Sequence, residues 1–207
     1  MRMQTHPGEP EPQRTMSDRV LAAERAYVAA AVARPAAAAS APATPERQAY
    51  AIAAAGAVAS RYLAVGTPRS FGIVIDDVAE VAAAALSLAA HRTWFAPRDL
   101  RCASVGTGAA ELAAATAGRV VSVDEALACD IVNVHSARVR ITPARLRRGT
   151  HVNALTADVI DPELLALAAV THEAGLPALA AGLLDGRQLD EITIFLVDGA
   201  PIALAAS

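Results

Sequence analysis

The residues with the clearest chemical potential are Asp76-Asp77-Val78-Ala79-Glu80, directly behind the apolar run Phe71-Gly72-Ile73-Val74-Ile75. A β-rich run of that length reads as one buried strand. Either aspartate can cap the next segment, and Val78 to Ala90, rich in Ala and Leu without Gly or Pro, favours helix. Strand, tight turn and helix form the opening unit of a Rossmann domain. The turn of that unit normally carries G-x-G-x-x-G, because a pyrophosphate must rest on bare backbone at the helix N-terminus. Here Ile75 to Glu80 holds no glycine. Two carboxylates stand where a diphosphate needs amide N–H groups and no negative charge. Asp76, Asp77 and Glu80 therefore either cap the helix and offset its dipole, hold a cation, or bind a nucleotide despite their Cβ atoms.

Further candidates lie downstream. Gly106-Thr107-Gly108 follows an expected strand and opens an expected helix, as a plain tight turn or a phosphate cradle; a lone G-x-G is weak evidence. His135-Ser136 come after the run Ile131-Val132-Asn133-Val134, at the carboxyl edge where open α/β sheets bind ligands. They are either ligand contacts or part of a surface loop. His151 falls inside a strand and reads as structural. Asp158 can serve as general acid or base if a pocket buries it and raises its pKa. Arg138, Arg140, Arg145, Arg147 and Arg148 form a local basic cluster, a solvated face or a dock for an acidic or phosphorylated partner.

These residues need a scaffold, and the pattern supplies one. Strands are expected at 71–75, 100–105, 119–123, 131–134, 149–155 and 169–171, with helices between them, the brief one at 125–128 capped by Asp124 and the next by Asp161. Such alternation gives a parallel sheet. Residues 1–16 are polar and proline-rich, which predicts a disordered tail. A helical arm capped by Ser17 and an Ala/Pro linker fill 17–46, and Thr44-Pro45 starts a lead-in helix that runs to about Val65. The fold class expected is a Rossmann-like α/β domain over 47–185, a parallel sheet flanked by helices, with helical N- and C-terminal extensions. Residues 186–207 form a C-terminal interface segment.

Composition narrows the function classes. Of the 207 residues 54 % are hydrophobic but only 3 % aromatic, so the core depends on close helix–sheet packing rather than on large side chains. A net charge of −3 and a pI near 5.9 give no electrostatic case for nucleic acid or an acidic membrane. No uninterrupted apolar span or signal-type segment occurs, and a cytoplasmic location is expected. Cys102 and Cys129 read as buried free thiols. No metal is expected.

From about Arg47 onward the chain resembles the ornithine cyclodeaminase/mu-crystallin family. Ala57-Val58-Ala59-Ser60-Arg61-Tyr62-Leu63-Ala64 is similar to the helix that leads into that family's nucleotide-binding domain. Asp130-Ile131-Val132 through Arg148-Gly149-Thr150-His151-Val152-Asn153-Ala154-Leu155-Thr156-Ala157-Asp158 resembles its "ADIV … PGTHVNAVGAD" stretch. Gly186-Arg187 and Asp190-Glu191-Ile192-Thr193-Ile194-Phe195 resemble "GR … DEITLF", with Gly199 where the family has "SVG".

The resemblance implies NAD(P), hydride transfer on amino acids or cyclic imines, and a homo-oligomer. In family register the glycines of the phosphate turn map onto Ile75 and Asp77. The end of the second strand, Ser104 and Gly106, falls where a ribose- or 2′-phosphate-binding side chain sits. Asp158 stands at the catalytic aspartate. The family's substrate-carboxylate arginine maps near Ala51, with Arg47 one turn earlier as a displaced substitute. Residues 1–46 have no counterpart of the family's N-terminal substrate and oligomerisation domain. In the family the "DEITLF" helix returns to that domain at the subunit interface. The C-terminal apolar residues are accordingly expected against residues 17–33, another copy or a partner protein.

The functional expectation is a divergent family member with a degenerate dinucleotide turn, acting as a non-catalytic binding, regulatory or assembly subunit. The alternatives are an NAD(P)-dependent oxidoreductase or cyclodeaminase acting on a small amino or imino acid, and a small-ligand sensor near His135 and Asp158.

Overall fold

The computed structural model describes residues 51–172, 175, 176, 179 and 191–197. The expected tail, arm and linker, Arg47, and residues 186–190 and 198–207 lie outside the described residues.

A π-helical turn, Ala51–Gly56, runs straight into α1, Ala57–Leu63. The first βα unit is β1 (Ser70–Ile75), a 3-10 turn (Val78–Glu80) and α2 (Val81–His91). Next come β2 (Asp99–Ser104), α3 (Ala109–Thr116), the two-residue β3 (Arg119–Val120) and α4 (Val123–Leu127). The second half holds β4 (Ile131–Val134), β5 (His151–Ala154), α5 (Pro162–Leu167), β6 (Ala169–His172) and β7 (Thr193–Leu196). All pairings are parallel, in the order β3-β2-β1-β4-β5-β7-β6. This is the Rossmann-like α/β sheet that the alternating pattern predicts. The chain order reverses between β1 and β4, which makes their carboxyl ends the switch point of the sheet.

Four expectations shift. The helix after β1 begins at Val81, because Val78–Glu80 forms a tighter 3-10 turn first. Strand β3 keeps only two residues, both exposed at the sheet edge. The cap of α4 is Ser122, not Asp124: the Ser122 hydroxyl accepts the Glu125 N–H, and the Ser122 N–H donates to Glu125 Oε2 at 3.0 Å. Finally, Thr193–Leu196 is not a returning helix but a strand inserted between β5 and β6. Its β-branched and aromatic residues suit a pleated, doubly covered strand. Thr193 and Phe195 face α1, Ile194 and Leu196 face the other layer, and all four are buried, so these apolar residues are covered by the chain's own sheet. Asp161 caps α5 as expected, its carboxylate accepting the Glu163 N–H at 2.9 Å.

Strands β1, β4, β5 and β7 are buried along their whole length, so no wet face imposes an alternation, and the polar Asn133, His151, Asn153 and Thr193 are buried with the apolar residues around them. On one face Phe71, Ile73, Ile75 and Ile131 pack against Ala84 and Leu88 of α2 and Leu112 of α3. On the other, Val74, Val132, Val152 and Ile194 pack against Ala126 and Leu127 of α4 and Leu164 of α5. Gly72 sets the height of α4 above β1, since a Cβ there would lie 2.1 Å from the Ala126 carbonyl oxygen. Cys102 and Cys129 are buried free thiols, and burial raises both, Cys129 to about 11.

The face toward α1 and α2 also carries a buried polar seam. Asn133 on β4 and Asn153 on β5 are register partners, and Asn153 Nδ2 donates to Asn133 Oδ1 at 2.7 Å. The same amide donates to Ser60 Oγ on α1 at 2.9 Å, and Asn133 donates to Ser87 Oγ on α2. His91 Nδ1 lies 2.8 Å from the Ser87 carbonyl, which can only accept, so Nε2 must accept the Ser60 hydroxyl at 3.0 Å. His151 Nε2 lies 3.0 Å from Asn153 Oδ1, and its Nδ1 lies 2.8 Å from the Thr193 hydroxyl, which also reaches the Leu63 carbonyl at 3.3 Å. Burial drives His91 down to about 4 and His151 to about 3.

This core predicts two outcomes. Gly72→Ala forces α4 off the sheet and should cost about 2 kcal/mol or more, read as a lower urea midpoint. The second concerns acid. The unfolded chain protonates His91 and His151 near their ordinary value of 6.5, whereas the folded chain resists until about 4 and 3. Stability is therefore fully present above about pH 6.5 and falls toward pH 4, by up to about 1.4 kcal/mol per pH unit for each histidine. Urea midpoints measured across that window should drop steadily, and a flat profile would contradict neutral buried histidines.

Candidate functional site

The chemistry-bearing residues converge at the carboxyl ends of β1, β2 and β4. Asp76 leaves β1 and is buried. One carboxylate oxygen accepts the Ser136 hydroxyl, and the other accepts the Ala137 N–H at 2.9 Å. Arg138 Nε stands 3.3 Å from the same carboxylate. Burial alone would raise the Asp76 pKa, but the hydrogen bonds from Ser136, Ala137 and Arg138, with the Arg138 charge, outweigh it and hold the carboxyl below its ordinary value. The first strand and the loop behind the fourth are thus tied together across the switch point.

Asp77 completes the cluster from the exposed side. Arg138 Nη2 reaches Asp77 Oδ2 at 3.0 Å and the Asp76 carbonyl at 3.1 Å. The Thr107 N–H and hydroxyl approach Asp77 Oδ1 at 3.4 and 3.3 Å. The Gly106 N–H donates to the Asp76 carbonyl at 2.9 Å. Gly106 has no room for a side chain: a Cβ would lie 2.7 Å from Asp77 Oδ1 and 2.9 Å from Arg138 Nη2. Gly108, at φ +100°, sits against the backbone of Val78. The Asp77 N–H is also taken, by Glu80 Oε2 at 2.7 Å. Glycines 106 and 108 therefore seat their loop on the β1 turn.

The expected dinucleotide can be tested against these residues. A diphosphate needs free amides and bare backbone at the start of the helix. This turn presents two side-chain carboxylates, an amide consumed by Glu80 and a guanidinium laid over the crevice, so the residues at the turn do not fit the group.

Asp76, Asp77, Gly106 and Ser136 are brought together as the sequence suggested. The other expected residues stand elsewhere. Ser104 ends β2 opposite Ile75, and among the described residues no side-chain hydrogen bond joins it to the cluster. The His135 main-chain N–H continues the sheet ladder to the Val74 carbonyl at 2.8 Å. Its ring is buried, with no partner for Nε2 among the described residues, and burial followed by the charge of nearby His91 lowers its pKa to about 4. Asp158 lies exposed on the 3-10 turn Ala157–Val159, not inside a pocket. Arg47 lies outside the described residues.

Sequence reasoning places Arg138 only within a basic run, and that run does not form one patch. Arg140 pairs with Asp161 at 3.4 Å, Arg145 with Asp124 at 2.5 Å and Arg147 with Asp130 at 3.1 Å, each at a separate place. The usable signal for Arg138 is position, two residues beyond Ser136 at a strand's carboxyl end. Among the described residues no group of three His, Cys, Asp or Glu could hold a metal ion, and no helix is long and apolar enough to cross a membrane.

No family model and no curated protein matches the chain. Solved structures do. An archaeal alanine dehydrogenase dimer with bound NAD aligns with a TM-score of 0.60 at 21 % identity, over 72 % of this chain and 58 % of that one. The Δ1-pyrroline-2-carboxylate reductase of Thermococcus litoralis, in complex with NADH and L-proline, gives 0.59 at 20 %, over 72 % and 58 %. A lysine cyclodeaminase gives 0.54 at 22 %, over 72 % and 54 %. This chain shares their fold. These neighbours are the kind that the sequence resemblance implies, and the chain spans less than two thirds of their length.

Replacing Asp76 with Asn keeps the shape but turns a two-oxygen acceptor into one oxygen and an NH2 facing donors. Asp76→Asn should lower stability by about 2 kcal/mol in urea unfolding and speed amide exchange at Ala137 and Gly106. Unchanged exchange would mean that Asp76 does not tie β1 to β4.

Proposed function

We propose that this protein is a Rossmann-like relative of the cyclodeaminases that works without a dinucleotide, as a binding or assembly subunit. The observation that carries this reading is Arg138, whose guanidinium bridges Asp76 and Asp77 over the switch-point crevice. A fold of this kind binds its diphosphate on amides and in a positive field. In this chain the crevice is bonded to itself, and its only described cation already faces two carboxylates. The exposed position of Asp158 agrees with a chain that performs no proton transfer there. Assembly with a second copy or another protein is supported by the dimer of the similar alanine dehydrogenase.

A second reading keeps an NAD(P)-dependent oxidoreductase or cyclodeaminase acting on a small amino or imino acid. It draws on the bound NAD and NADH of the similar structures. In that case Arg138 must leave the crevice, and another chain must close the pocket beside Asp158.

The two readings separate in a calorimetric titration of the full chain with NADH and NADPH. The expected result is no saturable heat at millimolar cofactor. Micromolar binding would overturn the closed-crevice reading and turn the search to cyclic imines.

A further inference from the structure

At the amino end of the sheet, opposite the crevice, the loops entering β1 and β2 enclose a cavity of about 480 Å³. Thr67, Pro68 and Arg69 form one wall, and Trp94, Phe95 and Arg98 the other. The walls are fixed to each other. The Arg69 carbonyl accepts the N–H groups of Arg98 and Asp99 at 2.8 and 3.1 Å, and the Arg69 N–H donates to Asp130 at 2.8 Å. Trp94 and Phe95 are held by N–H bonds to the His91 carbonyl at the end of α2, and the Arg61 guanidinium stacks 3.8 Å from the indole centroid. The cavity is therefore a rigid recess with one aromatic wall.

Its charge is uncompensated. Arg69 and Arg98 are exposed, and among the described residues neither guanidinium has a carboxylate partner. The two acids close at hand are committed elsewhere. Asp99 pairs with Arg101 at 2.7 Å and Arg119 at 3.0 Å. Asp130 accepts two main-chain N–H groups and the Ser70 hydroxyl, and pairs with Arg147. Two planar forks beside the aromatic lining of Trp94, one face of which Arg61 covers, and Phe95 suit a flat ring that carries one anionic group, the ring packing on the aromatic wall while the anion takes the arginines. The volume lies in the range of small-ligand sites.

We infer that this recess binds a ring-bearing organic anion, the ring against Trp94 and Phe95 and the phosphate or carboxylate between Arg69 and Arg98. The site is remote from the crevice, but NADH and NADPH are themselves ring-bearing anions; the cofactor titration is therefore repeated on R69A and R98A, where heat that persists belongs to the crevice and heat that is lost belongs to this recess.

Trp94 is the single tryptophan of the chain, which makes its emission a direct reporter. The full chain is titrated with adenosine 5′-monophosphate and 4-hydroxybenzoate, and with adenosine and inorganic phosphate as controls, with calorimetry in parallel. The expected result is saturable quenching by at least one of the two ring anions, the better one showing whether phosphate or carboxylate is preferred. Adenosine and phosphate should bind at least about tenfold more weakly, and R69A and R98A should each weaken the ring anion about tenfold while melting like the parent. The inference is overturned if neither ring anion saturates, if a control binds as tightly as the ring anion, or if both arginine variants bind unchanged.

Discussion

The structure depends on a constraint that no apolar pattern reveals: the side chain of Asn153 must satisfy both of its amide hydrogens and its oxygen inside the core. Its partners are Ser60, Asn133 and His151, contributed by α1, by β4 and by its own strand. A buried amide left unpaired costs far more than a made bond returns, so these four groups have to arrive together. The network extends through Ser87 and His91 to α2 and through Thr193 to β7. It therefore specifies which helix lies over which strand, a choice that the Ala-rich helices cannot make by shape alone. Gly56 belongs to the same constraint, since a Cβ there would sit 3.3 Å from the Asn153 amide carbon. A core of small side chains has few ways to select one packing, and a fully satisfied polar network is one of them.

A second tie acts at the functional end. In folds of this type the two sheet halves part at the switch point, and a ligand fills the gap. Asp76 instead draws the loop after β4 onto β1 through Ser136, Ala137 and Arg138. The Gly106–Gly108 loop then settles on the turn because nothing larger than a hydrogen fits at Gly106. Each part needs the others: without Arg138 the two aspartates would repel, and without the glycine loop Asp77 would lose its Thr107 contacts. The closure is built from residues close behind three strand ends.

The strand–helix alternation was legible in the sequence because β1 is buried on both faces and its Phe71 to Ile75 stand out as an apolar run, with shorter β-rich runs recurring at β4 and β5. The convergence of Asp76, Asp77, Gly106 and Ser136 was legible too, since strand ends of a parallel sheet share one edge. Strand β7 was not, because a short apolar stretch has no period that separates strand from helix. Its parallel partners at β5 and β6 decide the matter, and those are long-range. Arg138 was hidden by its neighbours, because arginines close in sequence suggest one surface, although Arg138, Arg140, Arg145 and Arg147 pair with carboxylates in different places. The polar seam was invisible for a related reason. Asn133 and Asn153 each look like a flaw in an apolar strand until register sets them side by side.

The charge along the strand direction runs opposite to what a phosphate-binding sheet needs. Anion sites in parallel α/β folds gather at the carboxyl ends of strands, where helix N-termini and loop amides make the field positive. In this chain that end carries Asp76, Asp77 and Glu80, the Asp77 N–H is taken by Glu80, and Arg138 is neutralised where it stands. The amino end holds Arg69 and Arg98, with the neighbouring carboxylates committed to other arginines. Hydrogen bonds from Arg119 and then Arg101 pull Asp99 down to about 2, so that carboxylate stays charged and stays occupied. Among the described residues, the exposed arginines without a carboxylate partner beside the proposed recess thus stand at the amino edge, and the usual geometry of the fold does not say where its binding chemistry resides.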